Sequence, residues 1–202
     1  MTLPYIPSFD TPLNLCYNRP KRGEIMQKTK LSVRDMCYCA CFTALMAICA
    51  QIQIPAFGVP ITLQTFAIFL SLLTLGGFRG TVTVALYLLL GILGVPVFSG
   101  FRGGGHMLLM ESGGFLIGFM LTSLLYWAIT AEFQPKNKGK LLILALSMVP
   151  CYGLGLYWMF RFFSRTITPW DYAYSLLIFA IPDGVKFTLA YILSNRLHRF
   201  VK

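Results

Sequence analysis

From residue 35 onward the chain is organised as long apolar runs separated by short polar or glycine-rich breaks. The first run, residues 35–54, ends at Pro55 in the segment Pro55-Ala-Phe-Gly-Val-Pro60. The second, residues 61–75, stops at Gly76-Gly77-Phe78-Arg79-Gly80, and the third, residues 81–98, is apolar apart from Thr81, Thr83 and Tyr87. Ser99-Gly-Phe-Arg-Gly-Gly-Gly-His106 follows and is too glycine-dense for a stable helix. A fourth run covers residues 113–131 and a fifth residues 141–160, with Pro150 predicting a kink. Each approaches the roughly 20 residues that a helix needs to cross about 30 Å of hydrocarbon.

The last part of the chain is less uniform. Residues 161–170 read as a loop, and Trp170, Tyr172 and Tyr174 suit a membrane interface. Residues 175–181 are apolar, Pro182-Asp183-Gly184 interrupts them, and residues 185–193 resume the run. Proline fits the first turn of a helix and disrupts its interior. This predicts a short helix, a break, and a final span beginning near Pro182, in preference to an unbroken helix over residues 172–196. The expected fold is an all-α integral membrane bundle of about six transmembrane helices, its last span broken near residues 182–184. It is expected to form a single transmembrane domain over residues 30–202, behind a polar tail of residues 1–29 expected to be disordered.

Composition supports a bilayer as the solvent. Charged residues make up 12% of the chain and hydrophobic ones 56%, against about 25% charged in a soluble domain. The net charge of +10 raises nucleic acid as a partner, but its distribution argues otherwise. With six spans and cytoplasmic N- and C-termini, every Lys and Arg except Arg102, Arg161, Arg165 and Lys186 falls on the cytoplasmic side. That is the positive-inside pattern of a multi-pass protein of the cell membrane, and it calls for no nucleic acid. Cys37, Cys39, Cys41, Cys49 and Cys151 lie in apolar runs, and the first three are spaced so that a helix points them apart. They read as small buried residues, with neither a metal site nor disulfides expected. Residues 1–23 lack the apolar core of a cleavable signal, and Met26 is an alternative start to Met1 because organised sequence begins just after it.

Motifs for soluble enzymes are missing: there is no P-loop, no Gly-x-Ser-x-Gly, no HExxH, and only two histidines. The candidate chemistry lies in the runs themselves. Asp183 and Lys186 are ionisable groups at membrane depth, spaced i,i+3 on one helix face, so each offsets the other's desolvation. They serve either a ligand or a salt bridge between helices. A helix starting beside them would offer free N–H donors to a polar ligand. Glycines such as Gly103, Gly104 and Gly114 let backbone approach a ligand, and Arg102 is the one cation there to meet a carboxylate. The same stretch also reads as an ordinary flexible loop, with His106 packing in it. Gln64, in Thr62-Leu-Gln64-Thr-Phe66, is the amide of the second run and either lines a pocket or bonds to a neighbouring helix. Phe57, Phe66, Tyr87 and Phe101 are candidates for an apolar wall, or plain packing. Ala40 and Ala44, with Ala47 beyond them, form a small-xxx-small face suited to docking another helix.

Taken in order, Ile61-Thr-Leu-Gln-Thr-Phe66, the Tyr87–Phe98 run, the glycine loop, Gly113-Gly-Phe-Leu-Ile-Gly-Phe119 and Asp183-x-x-Lys186 resemble the BioY family. These are the biotin-specific substrate-capture (S) components of energy-coupling-factor (ECF) vitamin transporters. The resemblance covers roughly residues 30–200. It implies a non-enzymatic six-helix protein that captures biotin from outside and needs no cofactor of its own. It also implies partners: a transmembrane (T) subunit docked on Ala40 and Ala44, and two cytoplasmic ATPases that bind the ATP. The family's pocket maps onto Asp183, Lys186 and the loop around Arg102. Two departures stand out: the family's usual Pro-Gly-Asp is Pro182-Asp183-Gly184 here, and Phe101 and Arg102 replace glycine or small polar residues. Two other functions compete. A stand-alone secondary transporter for biotin or another small vitamin would need internal repeats, and residues 35–100 and 113–200 reveal none. A membrane-embedded enzyme using Asp183 or Glu111 would need a second convergent group that the sequence does not supply.

Overall fold

The structure is a computed structural model that describes residues 31–54, 59–135, 137–163 and 168–201. The tail at residues 1–29, the alternative start at Met26, and Phe57 lie outside the described residues. Helix α1 (Val33–Gln51) leads into strand β1 (Gln53–Ile54), which pairs antiparallel with β2 (Ile61–Thr62), Gln53 opposite Thr62. Then come α2 (Gln64–Leu75), α3 (Gly77–Ile92), a 3₁₀ turn at Gly105–Leu108, α4 (Gly113–Phe133), α5 (Asn137–Ser147), α6 (Val149–Phe162) and α7 (Pro169–Val201).

Among the described residues, four stretches are long and apolar enough to cross a membrane: Val33–Gln51, Gly113–Phe133, Gly139–Phe162 and Ala173–Leu197. Gln64–Leu75 and Gly77–Ile92 are shorter apolar helices. Together they make the bundle of about six that the run lengths predict. The fifth span is α5 and α6 in series, interrupted at Met148, with Pro150 in the first turn of α6, where its missing N–H costs nothing. Val33 is 77% exposed and Leu93 72% exposed, which suits a surface solvated by lipid.

Three features differ from the sequence expectations. Helix α3 spans Gly77–Ile92 instead of residues 81–98. The turn before it shrinks to Gly76, at φ +85°, and the run ends early at Gly94, at φ +102°, ahead of Pro96. Within residues 93–98, Val97 and Phe98 are buried, whereas Leu93 and Val95 are exposed. The break expected at residues 182–184 is not there, and α7 runs unbroken through Pro182. The proline removes one backbone donor, but its fixed φ is helical, and in a bilayer a helix that keeps its other hydrogen bonds is preferred to a break that exposes several groups. The third difference concerns cysteines: Cys39, Cys49 and Cys151 are buried as expected, whereas Cys37 and Cys41 are exposed on the outer face of α1.

Helix α2 is the most enclosed element. It packs on α1 and α3 and lies along α7, burying Ala67, Ile68, Phe69, Leu70 and Leu72. On the other side α4 packs closely on α6. Glycines make that approach possible: a β-carbon on Gly118 would sit 2.9 Å from Cys151 Cα, and one on Gly114 would be 2.7 Å from the Leu154 carbonyl oxygen. These two helix pairs, α2–α7 and α4–α6, form the walls between which the polar side chains of α7 are enclosed.

Candidate substrate-binding site

On α7 the i,i+3 spacing brings Asp183 and Lys186 onto one face, 2.6 Å apart, and both are buried, 7% and 8% exposed. Because α2 lies along α7, its first turn and the end of β2 just before it supply partners. Lys186 Nζ donates to the Thr62 carbonyl (2.7 Å) and to Thr65 Oγ1 (3.1 Å), and the Thr65 hydroxyl donates to Asp183 Oδ1 (2.8 Å). From α6, the Tyr152 hydroxyl donates to the other carboxylate oxygen, Oδ2, at 2.7 Å. The helix start expected beside Asp183 is present, but it belongs to α2, at Gln64, and not to a broken last span.

This cluster lines a cavity of about 70 Å³. Its walls also include Phe98, Phe115, Phe119, Phe179, Met107 and Met148, together with Ser99, Arg102 and Ser112. Arg102 pairs with Glu111 at 3.2 Å and donates to the Ser99 carbonyl at 3.2 Å. Its loop is fastened to the end of α1 by Gln51, whose amide donates to the Phe98 carbonyl (3.1 Å) and accepts from the Phe101 N–H (2.9 Å). Ser99 hydrogen-bonds to Gln53. The cavity thus combines a buried ion pair, apolar side chains and a guanidinium.

Of the residues singled out from the sequence, Asp183, Lys186, Arg102 and Gln64 line this cavity. Tyr87, Gly103, Gly104 and Gly114 do not. Tyr87 is fully buried beneath the site, donating to the Val97 carbonyl at 3.0 Å and supporting Phe98 edge-on at 5.7 Å. Gly103 is held against the Val95 carbonyl, and Gly104, at φ +103°, donates to the Gly91 carbonyl at 2.6 Å, so both shape the loop. Gly114 faces α6. Phe101 is 72% exposed and lies outside the lining, and Phe66 packs against the core. Ala40 and Ala44 are exposed on α1, away from the cavity.

Tyr152 and Thr65 are the site residues that the sequence reading passed over. Thr65 adjoins Gln64, and Tyr152 is two residues beyond the kink-forming Pro150, so each had a local flag. Neither flag says that the side chain meets Asp183. Replacing Tyr152 by Phe is expected to leave the fold intact and weaken ligand binding by about tenfold or more, since it removes one hydrogen bond to a charged group, worth about 1.5–3 kcal/mol. Calorimetry beside thermal unfolding would separate the two effects. Among the described residues no group of His, Cys, Asp and Glu could hold a metal ion.

Comparison with known proteins points one way. The sequence model of the BioY family matches residues 26–202. The chain is 31% identical over 169 residues to a probable biotin transporter BioY of Pyrococcus horikoshii, covering 83% of this chain and 98% of that protein. It is 47% identical over 89 residues to the biotin transporter BioY of Thermotoga maritima, an alignment covering 44% of this chain and 53% of the relative, about half its length. Among solved structures, the S-component for biotin from an ECF-type ABC transporter, a crystal structure at 2.1 Å, superposes with a TM-score of 0.72 at 28% identity. That match covers 86% of this chain and 93% of the other. The agreement of sequence and fold over the whole bundle means that this chain belongs to the BioY family.

Proposed function

We propose that this protein binds biotin from outside the cell and serves as the substrate-binding S component of an ECF-type vitamin transporter. The observation that carries the reading is the cavity's lining: a buried Asp183–Lys186 pair, aromatic and methionine walls, and the Arg102 guanidinium. Biotin presents chemistries that suit these groups: a hydrogen-bonding ureido head, an apolar ring and chain, and a carboxylate. Charge-assisted hydrogen bonds at the head, in a site screened from water, are the strong kind.

In this reading the polar tail and both termini face the cytoplasm, in accord with the distribution of Lys and Arg. The exposed Ala40–Ala44 face of α1 receives a T subunit, and two cytoplasmic ATPases supply the energy, since the chain carries no nucleotide motif of its own. The chain has no catalytic role in this assembly.

Calorimetry of the purified protein against biotin and unrelated vitamins tests the reading: saturable biotin binding with no response to the others is expected, and no biotin binding would overturn it. Co-purification of a membrane subunit with two ATPases tests the assembly, and uptake that persists without them would favour stand-alone transport. Arg102 provides a finer check. It is shared with Glu111 and partly exposed, so Arg102→Ala should weaken biotin binding only by a factor of about five, as a screened ion pair does. Biotin methyl ester, which lacks the charge, should bind both proteins alike. Equal loss for biotin and its ester would remove Arg102 as the carboxylate's partner.

A further inference from the structure

Counting hydrogen-bond valences around Asp183 exposes an asymmetry. An ammonium has three protons, and Lys186 has three acceptors in place: Asp183 Oδ1 at 2.6 Å, the Thr62 carbonyl at 2.7 Å and Thr65 Oγ1 at 3.1 Å. It has none left for a ligand. The Asp183 carboxylate offers about four acceptor positions. Oδ1 receives Lys186 and Thr65, whereas Oδ2 receives Tyr152 alone, so one position on Oδ2 stays open.

The spare donor is elsewhere. Gln64 is 4% exposed and lines the same cavity as Asp183, and its Nε2 has no hydrogen-bond partner. Folded proteins seldom leave a buried amide donor unpaired unless something else completes it. Gln64 is also the first residue of α2, next to Thr65, which is itself bonded to Asp183, so the open donor and the open acceptor belong to one cluster. The terminal amide torsion of glutamine is soft, and the group can turn toward an incoming ligand at little cost.

We infer that the Gln64 amide, and not the Lys186 ammonium, donates to the acceptor oxygen of the ligand's head group, while Asp183 Oδ2 accepts the neighbouring N–H. Lys186 is then a positioning residue that holds Asp183 and the Thr62 backbone in place. A donor beside an acceptor recognises the N–H and C=O of a cyclic urea. It discriminates against a cyclic guanidine, which presents N–H groups where the urea has its oxygen. The inference rests on the biotin reading and adds to it a residue that sets specificity.

The test is calorimetry of the full-length protein in detergent with two probes, biotin and 2-iminobiotin, its cyclic guanidine counterpart. Wild type, Gln64→Leu and Gln64→Glu are compared, with thermal unfolding to establish that each is folded. The wild type should prefer biotin. Gln64→Leu should lose at least about tenfold in biotin affinity and narrow that preference. Gln64→Glu, nearly the same size but an acceptor, should shift the ratio toward 2-iminobiotin, and this arm stands if the leucine variant does not fold. A wild type that ignores biotin would overturn the proposed function. A wild type that binds biotin, with the same biotin to 2-iminobiotin ratio in the folded variants, would overturn this inference alone.

Discussion

Replacing Asp183 by Asn is expected to cost about 3–5 kcal/mol of stability, because it leaves the Lys186 ammonium buried without its counter-charge. Biotin affinity should fall by at least tenfold, about 1.4 kcal/mol, since the open carboxylate position is lost as well. Lys186→Ala should act in the same direction from the other side, leaving the carboxylate with only its two hydroxyl donors. The decisive variant is the double one, Asp183→Leu with Lys186→Met. Removing both members of a buried pair is often neutral for stability or favourable. The double variant should therefore unfold near the wild-type temperature and still fail to bind. Thermal unfolding with calorimetry reads both quantities. If the two single variants bind biotin as tightly as the wild type, the pair is a strut between helices and the ligand lies elsewhere.

The second large effect belongs to the α4–α6 seam. Gly118→Leu should destabilise the bundle and reduce biotin binding together. A β-carbon there falls 2.9 Å from Cys151 Cα and 2.7 Å from Cys151 Sγ, so the backbones have to separate. Overpacking of this kind costs about 1–3 kcal/mol even where side chains can yield, and here a main-chain atom is in the way. Cys151 is followed by Tyr152, so moving α6 outward also draws the tyrosine hydroxyl from Asp183. Gly153→Ala is the matched control. Its β-carbon meets nothing within 4 Å, and alanine in a helix interior is favoured over glycine by about 0.5–1 kcal/mol. That variant should be as stable as the wild type or slightly more so. Equal thermal stability for both variants would show that the seam is looser than its spacing implies.

The two variants also mark the reach of sequence-level reasoning. Asp183 and Lys186 are conspicuous along the chain, because charge within an apolar run is expensive wherever the run folds. Gly118 is inconspicuous, one of 18 glycines, and only the approach of α6 makes it different from Gly153. For the same lack of information the loop glycines Gly103 and Gly104 read as candidate ligand contacts in the sequence, and in the structure they lie outside the cavity lining. Glycine records that some atom comes close or that φ is unusual, and not whether that atom belongs to a ligand or to the protein's own backbone. Tyr87 misleads in a related way: a polar tip in an apolar run needs a partner, and here the Val97 carbonyl meets the need without any ligand.

What the chain's linear pattern determined was the class of fold and the place of the ion pair. The length of an apolar run, the glycine density of a loop and an i,i+3 spacing are local properties, and the bilayer acts on them locally. Even so, Pro182 was ambiguous, since the same residue starts a helix in one context and is carried through it in another. What only the tertiary structure decided was the site's composition. Thr65 meets Asp183 across 118 residues of sequence and Tyr152 meets it across 31, because α2 happens to lie along α7 and α6 against α4. Hydrogen bonds of that kind depend on which helix faces which, and pairwise helix packing leaves little trace in any one segment. The apolar runs built the walls, and the packing of α2 and α6 around α7 enclosed Asp183.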